Sequence, residues 1–237
     1  MFVDFDGTLV EIAQSPEAVR APAHLSGLLK QVQERYGGAF ALISGRSIAA
    51  LDDLLQPWRG AAAGLHGGER RRPDGSRADV DPIELTPVLA DACGAVAAFV
   101  AANPPVRLED KGRTLALHYR AAPELRQEVT RFAEQVAAES SGALRLVCGK
   151  MVAELVPRDF GKGRAIAAFL AEPPFRGRVP VFLGDDLTDE EGFAEIRRRK
   201  GVAIRVGSPD AETLATYTLP DVAAVLAWLS NDGAAEP

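Results

Sequence analysis

Apolar runs in this chain repeatedly end at a small or acidic residue and are followed by a segment with helical spacing. The run Ala39 to Ile43 precedes an amphipathic stretch near Ile48 to Leu55, and Val179 to Leu183 precedes another near Glu190 to Arg199. Strand-then-helix alternation of this kind is typical of a parallel sheet that is covered by helices on both faces. We therefore predict an α/β core.

Between about residue 82 and residue 157 the pattern changes. A helix ending at Ala102 is followed by two short strands, a second helix near Pro123 to Glu139, and two more strands. The predicted strands are Val106 to Glu109, Thr114 to Tyr119, Leu144 to Cys148 and Val152 to Val156. This order predicts helices on one face of a small antiparallel sheet. We expect residues 1–82 and 158–237 to form the core, and residues 83–157 to form an inserted α+β cap over the active site.

Composition and charge narrow the class of protein. The 237 residues are 47% hydrophobic and 25% charged, which is typical of a soluble globular protein. A net charge of -6 argues against nucleic-acid binding, although two short basic runs are present. The longest apolar stretch, Ala92 to Ala102, is far too short to span a bilayer, and two acids among the first six residues are unlike a signal peptide. We expect a cytoplasmic protein that binds neither membranes nor nucleic acids.

Asp4 and Asp6 are one residue apart, at the end of a short apolar run and before Gly7. Alternate side chains of an extended segment point the same way, so the two carboxylates can address one substrate atom. Such a pair suits a nucleophile with an acid/base partner, as phosphoryl transfer requires. A calcium-binding loop starting at Asp4 would need glycine at position 9 and glutamate at position 15, but these positions hold Leu9 and Ser15. An ordinary turn remains an alternative on these residues alone.

Two further segments suggest anion binding. Ser44 ends an apolar run and precedes a helix, where a hydroxyl and backbone N–H groups form an anion site, although Ser44 or Ser47 could simply cap that helix. Lys162 lies in the first turn of a predicted helix that runs to Leu170. Because a lysine there opposes the helix dipole, we expect an anion nearby, with phosphate as the natural candidate and an exposed lysine as the alternative.

The segment Gly184 to Glu191 is strongly acidic and follows a predicted buried strand. Thr188 with Glu191 fits a capping box, but Asp185 and Asp186 lie before that cap, where oxygen ligands for Mg²⁺ would be placed. Mg²⁺ held by Asp4, Asp185 and a backbone carbonyl would offset the repulsion between a carboxylate and a phosphate. Lys162 and Ser44 would hold the other phosphate oxygens.

These four segments, in this order, resemble the four motifs of the haloacid dehalogenase (HAD) superfamily of phosphohydrolases. The strings Leu42 to Arg46 and Gly184 to Glu190 are similar to those of the trehalose-6-phosphate phosphatases within it, and the resemblance runs from Phe2 to about Leu229. It implies a Rossmann-like core with a cap inserted between the second and third motifs. It also implies the roles that follow: Asp4 as nucleophile, Asp6 as acid/base, and Asp4, the Asp6 carbonyl and Asp185 as Mg²⁺ ligands, with Asp186 and Asp189 as further candidates.

The resemblance also implies that cap residues read the sugar. Glu109 and Lys111 fall on one predicted strand face, Lys150 and Glu154 fall on another, and His118 points away from its apolar neighbours. A solvated strand face is the alternative. The family's His-Gly-x-Glu pattern appears at His66 to Glu69. The candidate substrate-binding residues are Arg46, His66, Glu69, Glu109, Lys111, His118, Lys150 and Glu154.

The resemblance implies Mg²⁺-dependent hydrolysis of trehalose 6-phosphate through an aspartyl-phosphate, with a functional link to a trehalose phosphate synthase. Two alternatives stay open: another sugar-phosphate phosphatase, acting on sucrose phosphate or a glycosyl-phosphoglycerate, and a non-catalytic sugar-phosphate-binding domain. Three residues precede Asp4, whereas family members usually carry several more, so we expect a very short first strand. Two explanations stay open: the start is truncated or misassigned, or stability is reduced.

Overall fold

The computed structural model describes residues 1–13, 15, 18–78, 86–208 and 212–230. The chain divides into two compact units, one formed by residues 1–79 with 161–237 and the other by residues 80–160. Among the described residues, none of the helices combines the length and the apolar character that crossing a lipid bilayer requires.

The elements of the described residues are numbered here in chain order. The strands are β1 (Phe2–Val3), β2 (Ala41–Ile43), β3 (Ala61–Gly64), β4 (Glu69–Arg71), β5 (Arg107–Asp110), β6 (Leu115–His118), β7 (Leu144–Gly149), β8 (Val152–Pro157), β9 (Val181–Gly184), β10 (Val202–Val206) and β11 (Tyr217–Leu219). The helices are α1 (Leu25–Arg35), α2 (Ile48–Leu55), α3 (Thr86–Ala102), α4 (Arg126–Glu139), α5 (Lys162–Leu170), α6 (Glu190–Arg198) and α7 (Val222–Ser230).

The first unit contains a seven-stranded sheet in the order β11-β10-β9-β1-β2-β3-β4. Neighbouring strands are parallel except for β3 and β4. The first strand is as short as expected, and it lies at the centre of the sheet, where Phe2 pairs with Ala41 on one side and Phe182 on the other. The predicted α/β class is confirmed, and the carboxyl ends of β2, β1 and β9 lie side by side.

Successive residues of the short central strand enter different hydrophobic clusters. Val3 packs in a cluster with residues of α1, α2 and α7, whereas Phe2 packs in a second cluster with residues of α5 and α6. Both side chains are fully buried, which contributes about 1.5–3 kcal/mol each. Helices therefore cover both faces of the sheet, and this packing holds a two-residue strand in place.

The second unit has the predicted order of helix, two strands, helix and two strands. Its sheet, β5-β6-β8-β7, is antiparallel throughout. Val96 of α3 and Val129 of α4 pack in one cluster with Leu117 and Leu155 of the sheet. The helix predicted from Pro123 begins with a 3-10 turn before α4. The predicted start of the preceding helix, at residues 82–85, lies outside the described residues.

Candidate active site

Three predicted site residues lie at the same edge of the large sheet. Asp4 follows β1, Ser44 follows β2 and Asp185 follows β9, which are adjacent parallel strands. Ligands of open α/β sheets bind beyond the carboxyl ends of the strands. The topology therefore brings together side chains that are as much as 181 residues apart in the sequence, the separation of Asp4 and Asp185.

Lys162, the first residue of α5, is buried among these groups. Its Nζ donates hydrogen bonds to Asp4 Oδ1 at 2.8 Å and to Asp189 Oδ1 at 2.7 Å. Burial by itself would lower the pKa of Lys162, but the charges of Asp189 and Asp4 reverse that effect and raise the pKa above its usual value. The lysine is thus held as a cation by two carboxylates, which offset its unfavourable position at a helix N-terminus.

Three carboxylates meet at this point. Oxygen atoms of Asp4, Asp185 and Asp189 lie within 4.8 Å of one another, and all three residues are buried. Burial raises the pKa of Asp4 well above its ordinary value, Lys162 acts in the opposite direction, and Asp189 and Asp185 raise it further. One lysine does not balance three carboxylates, and carboxylate oxygens are the ligands that Mg²⁺ prefers. The donor set and its charge therefore fit a divalent cation.

Asp189 and Asp186 also shape the loop that carries Asp185. Asp189 Oδ2 accepts the backbone N–H groups of Asp185 and Asp186, each at 3.0 Å. Asp186 Oδ1 accepts the N–H of Leu187 at 2.8 Å and caps a 3-10 turn that precedes α6. The capping box predicted at Thr188 and Glu191 is wrong, because the helical segment begins earlier and Asp186 with Asp189 forms the box. The structure thus gives Asp186 a capping contact and places Asp189, but not Asp186, in the carboxylate cluster.

Gly7 allows the turn after β1 to approach Asp185. Its φ is +82°, and a Cβ at this position would overlap the Asp185 carboxylate. The turn is closed by the N–H of Leu9, which donates to the carbonyl of Phe5 at 2.9 Å. A larger residue at position 7 would meet both a left-handed backbone and a steric clash.

Asp6 is paired with Arg46, which follows the catalytic serine candidate. Arg46 Nε donates to Asp6 Oδ2 and its terminal nitrogen donates to Asp6 Oδ1, both at 2.7 Å. The guanidinium also lies over the ring of Phe5, 5.8 Å from its centroid. A two-bond fork of this kind fixes the plane of the carboxylate. The predicted acid/base residue and a predicted substrate-binding residue are therefore in direct contact.

Ser44 and Ser47 have different contacts. Ser47 caps α2, since its side-chain oxygen accepts the N–H of Ala50 at 3.2 Å. Ser44 is buried, and its hydroxyl oxygen accepts the N–H of Arg46 at 3.1 Å. Ser47 is therefore the residue that caps the helix. Ser44 lies at the carboxyl end of β2, next to β1, which carries Asp4 at its own carboxyl end.

His66 and Glu69 lie in the first unit, next to the loop that follows β2. Leu65 and His66 both have left-handed backbones, with φ of 49° and 55°. This conformation costs roughly 1–2 kcal/mol for each non-glycine residue. Glu69 Oε2 accepts the N–H of Ile48 at 2.7 Å, at the start of α2. The strain at residues 65 and 66 is therefore located beside the candidate active site.

Four of the five predicted sugar-reading residues of the second unit form two polar pairs. His118 Nε2 lies 2.8 Å from Glu109 Oε2, and this hydrogen bond lowers the pKa of Glu109. Lys111 Nζ donates to Glu154 Oε1 at 3.1 Å, and the buried Thr114 donates to the same oxygen at 2.6 Å. Sequence reasoning missed Thr114, which lies just before β6, because threonine is common in strands and the sequence predicts a strand there.

Strand register explains why three of these residues share one face of the small sheet. Glu109 pairs with Ala116, which also pairs with Glu154, and His118 lies two residues further along the same strand. Leu117 and Leu155 point to the opposite face and enter the hydrophobic cluster. Lys150 was expected on a strand face, but it lies exposed in the turn between β7 and β8. Its position there follows from the tight hairpin between these strands.

Comparisons with known proteins agree with this arrangement. A family model described as Trehalose-phosphatase matches residues 2–223. The trehalose-6-phosphate phosphatase of Escherichia coli is 41% identical over 229 residues, covering 96% of this chain and 84% of that protein. The probable trehalose-phosphate phosphatase of Sinorhizobium fredii is 37% identical over 226 residues, covering 95% of this chain and 84% of that protein.

A solved structure shows the same fold at low sequence identity. The C-terminal domain of the C. albicans trehalose-6-phosphate phosphatase matches with a TM-score of 0.88 and 21% identity, covering 98% of this chain and 91% of that one. The predicted HAD-type fold is confirmed by this match and by other HAD-superfamily phosphatases. From the family model and the two curated relatives, the chain belongs to the trehalose-phosphatase family of phosphoric monoester hydrolases.

Proposed function

We propose that this chain hydrolyses trehalose 6-phosphate to trehalose and phosphate, with Mg²⁺ as cofactor and with an aspartyl-phosphate formed on Asp4. The observation that carries the proposal is the buried cluster of Asp4, Asp185 and Asp189 around Lys162. The names of its relatives in E. coli and S. fredii, trehalose-6-phosphate phosphatase and probable trehalose-phosphate phosphatase, support the substrate.

The proposed reaction assigns a separate task to each carboxylate of the first turn. The Asp4 carboxylate attacks phosphorus, so that a bond forms to its oxygen while the bond from phosphorus to the sugar oxygen breaks. Asp6 gives its proton to that departing oxygen. In the second step Asp6 takes a proton from water, the water oxygen attacks phosphorus, and the Asp4 carboxylate is released.

Other residues hold the reacting groups. Lys162 fixes Asp4 through the 2.8 Å hydrogen bond to Oδ1, and the Ser44 hydroxyl would bind a phosphate oxygen. Asp4, Asp185 and the carbonyl of Asp6 would hold Mg²⁺, with Asp189 orienting the loop through its backbone contacts. The cation would supply positive charge that lets a carboxylate approach a phosphate dianion.

We propose that residues 80–160 act as the cap and read the sugar. Glu109, Lys111, His118 and Glu154 supply carboxylate, ammonium and imidazole groups, which can hydrogen-bond sugar hydroxyls. Lys150, in the β7–β8 turn, is a further candidate. The cytoplasmic location and the functional link to a trehalose phosphate synthase stay predictions.

Substrate selectivity tests the proposed function directly. We expect kcat/KM for trehalose 6-phosphate to exceed the values for glucose 6-phosphate and sucrose 6-phosphate by about 100-fold or more, since hydrogen-bonding sites reject analogues that leave polar groups unpaired. Phosphate release from each of the three sugar phosphates measures this selectivity. Asp4→Asn protein prepared in the same way is the control for contaminating phosphatase. Equal turnover of the three sugar phosphates would contradict the proposal.

Metal dependence gives a second test with a matched pair of variants. Removal of divalent cations should lower phosphate release to about 1% or less, and Mg²⁺ should restore it. Asp185→Asn should raise the half-saturating Mg²⁺ concentration about tenfold or more, because a ligand charge is lost. Asp186→Asn should leave it within about twofold, since asparagine caps a helix as well as aspartate does. An equal shift in both variants would make Asp186 a metal ligand.

A further inference from the structure

Hydrogen bonds join the segment from Leu65 to Glu69 to the segment Ser44–Ile48, which is called the serine loop below. The N–H of His66 donates to the carbonyl of Ser44 at 3.0 Å, and the N–H of Leu65 donates to the carbonyl of Arg46 at 2.9 Å. Glu69 Oε2 accepts the N–H of Ile48 at 2.7 Å. Three hydrogen bonds thus tie the serine loop to one short segment.

The His66 ring also packs directly against the serine loop. A Cβ added to Gly45 would lie 2.8 Å from Nε2 and 2.9 Å from Cε1 of His66. The backbone of Gly45 is outside the left-handed region, so alanine could adopt it and the ring alone would oppose a side chain there. The imidazole therefore fills the space behind the residue that joins Ser44 to Arg46.

Backbone strain marks the same place. Leu65 and His66 are consecutive non-glycine residues with positive φ, and both are buried. Conformations of this kind persist only where the surrounding structure imposes them, and they concentrate at functional sites. Here the strained turn supplies two of the three hydrogen bonds to the serine loop.

We propose that His66 and Glu69 are positioning residues of the phosphatase reaction and do not contact the sugar. They hold the serine loop in position. The loop in turn sets the positions of the Ser44 hydroxyl and of the Arg46 side chain, which donates hydrogen bonds to Asp6. The inference rests on the proposed function and replaces the substrate-binding role that was predicted for these two residues.

The two roles predict different kinetics on a substrate without a sugar. A displaced serine loop impairs phosphoryl transfer from any ester, because small misplacements of catalytic groups are costly. Loss of a sugar contact weakens the binding of trehalose 6-phosphate but leaves kcat and KM for p-nitrophenyl phosphate unchanged. The second substrate also separates the two proposals, since an enzyme that cleaves p-nitrophenyl phosphate but not trehalose 6-phosphate refutes the substrate and still permits the positioning test.

The first experiment measures kcat and KM of His66→Asn, Glu69→Ala and Glu69→Gln on both esters. Asparagine tolerates the left-handed backbone, so His66→Asn removes the ring with little added strain. We expect kcat of His66→Asn and Glu69→Ala to fall about tenfold or more by the same factor on both esters, with KM within about twofold. Glu69→Gln keeps an acceptor for Ile48 and should recover most of that loss. A KM increase confined to trehalose 6-phosphate, or no change, would overturn the proposal.

A double-mutant cycle tests the contact itself. Gly45→Ala should lower kcat on p-nitrophenyl phosphate about tenfold, because the new methyl group displaces the ring or the loop. In the His66→Asn background the same change should cost no more than about twofold, since the opposing ring is gone. Thermal unfolding of all four proteins checks that they are folded. Additive losses would show that Gly45 and His66 act independently and would overturn the proposal.

Discussion

Asp4→Asn is expected to lower kcat by roughly 10⁶-fold, which is the scale seen when a catalytic nucleophile is removed. The amide has nearly the shape of the carboxylate, and its oxygen can still accept the hydrogen bond from Lys162. It cannot attack phosphorus, so no covalent intermediate forms. Phosphate release measures the loss, and intact-mass analysis of quenched reactions should find phosphorylated protein in the wild type only.

The same variant should remain folded. Burial and the neighbouring carboxylates raise the pKa of Asp4, so in metal-free protein its ionised form costs stability above the ordinary pKa of an aspartate. Removing that charge should leave the unfolding temperature unchanged or raise it. Asp74→Asn, in an exposed turn, is the matched control and should change neither activity nor stability. Full activity of Asp4→Asn would refute the nucleophile assignment.

Lys162→Met is expected to destabilise the protein by about 3–5 kcal/mol, as removal of one partner from a buried ion pair usually does. Asp4, Asp185 and Asp189 would then share a buried site without their lysine. For a chain of this size the loss corresponds to a fall of roughly 10 °C in unfolding temperature. Activity should be lost as well, because Asp4 loses the group that holds it.

Two comparisons identify charge as the cause. Adding Asp189→Asn to Lys162→Met should recover part of the lost stability, since the amide removes one charge and its oxygen can still accept the backbone N–H groups of Asp185 and Asp186. Lys30→Met replaces an exposed lysine in a weak pair with Glu34 and should shift stability by less than about 0.5 kcal/mol. If Lys162→Met unfolded at the wild-type temperature, the charge of Lys162 would not stabilise the buried carboxylates of Asp4 and Asp189.

Local sequence patterns specified most elements because their signals are short-range. The predicted limits of α2 and of α5 agree with the structure, since apolar spacing and the preceding strands define them. The placement of Asp4, Ser44 and Asp185 at strand ends could also be predicted, because each of them follows an apolar run in the sequence. The sequence did not reveal what each side chain contacts.

Several contacts depend on elements that are distant in the chain. Lys162 was expected beside phosphate, and its partners are Asp4 and Asp189, which lie 158 and 27 residues away. Glu69 was expected to bind substrate, and it accepts the N–H of Ile48. Asp186 was a candidate metal ligand, and it caps the turn beside it. The sequence allowed the helical segment to begin at either of two positions, so even this local contact of Asp186 could not be predicted.

Side-chain identity and hydrophobic period are local properties, so the amino-acid sequence was enough to identify the chemical groups of this protein and the strand ends that carry them. Only the folded structure shows that Lys162 donates hydrogen bonds to Asp4 and Asp189, that Arg46 donates two hydrogen bonds to Asp6, and that the His66 ring lies against Gly45. Those contacts form beyond the carboxyl ends of β9, β1, β2 and β3, which lie side by side in parallel. Their register is set by packing on both faces of the sheet, which no single segment encodes.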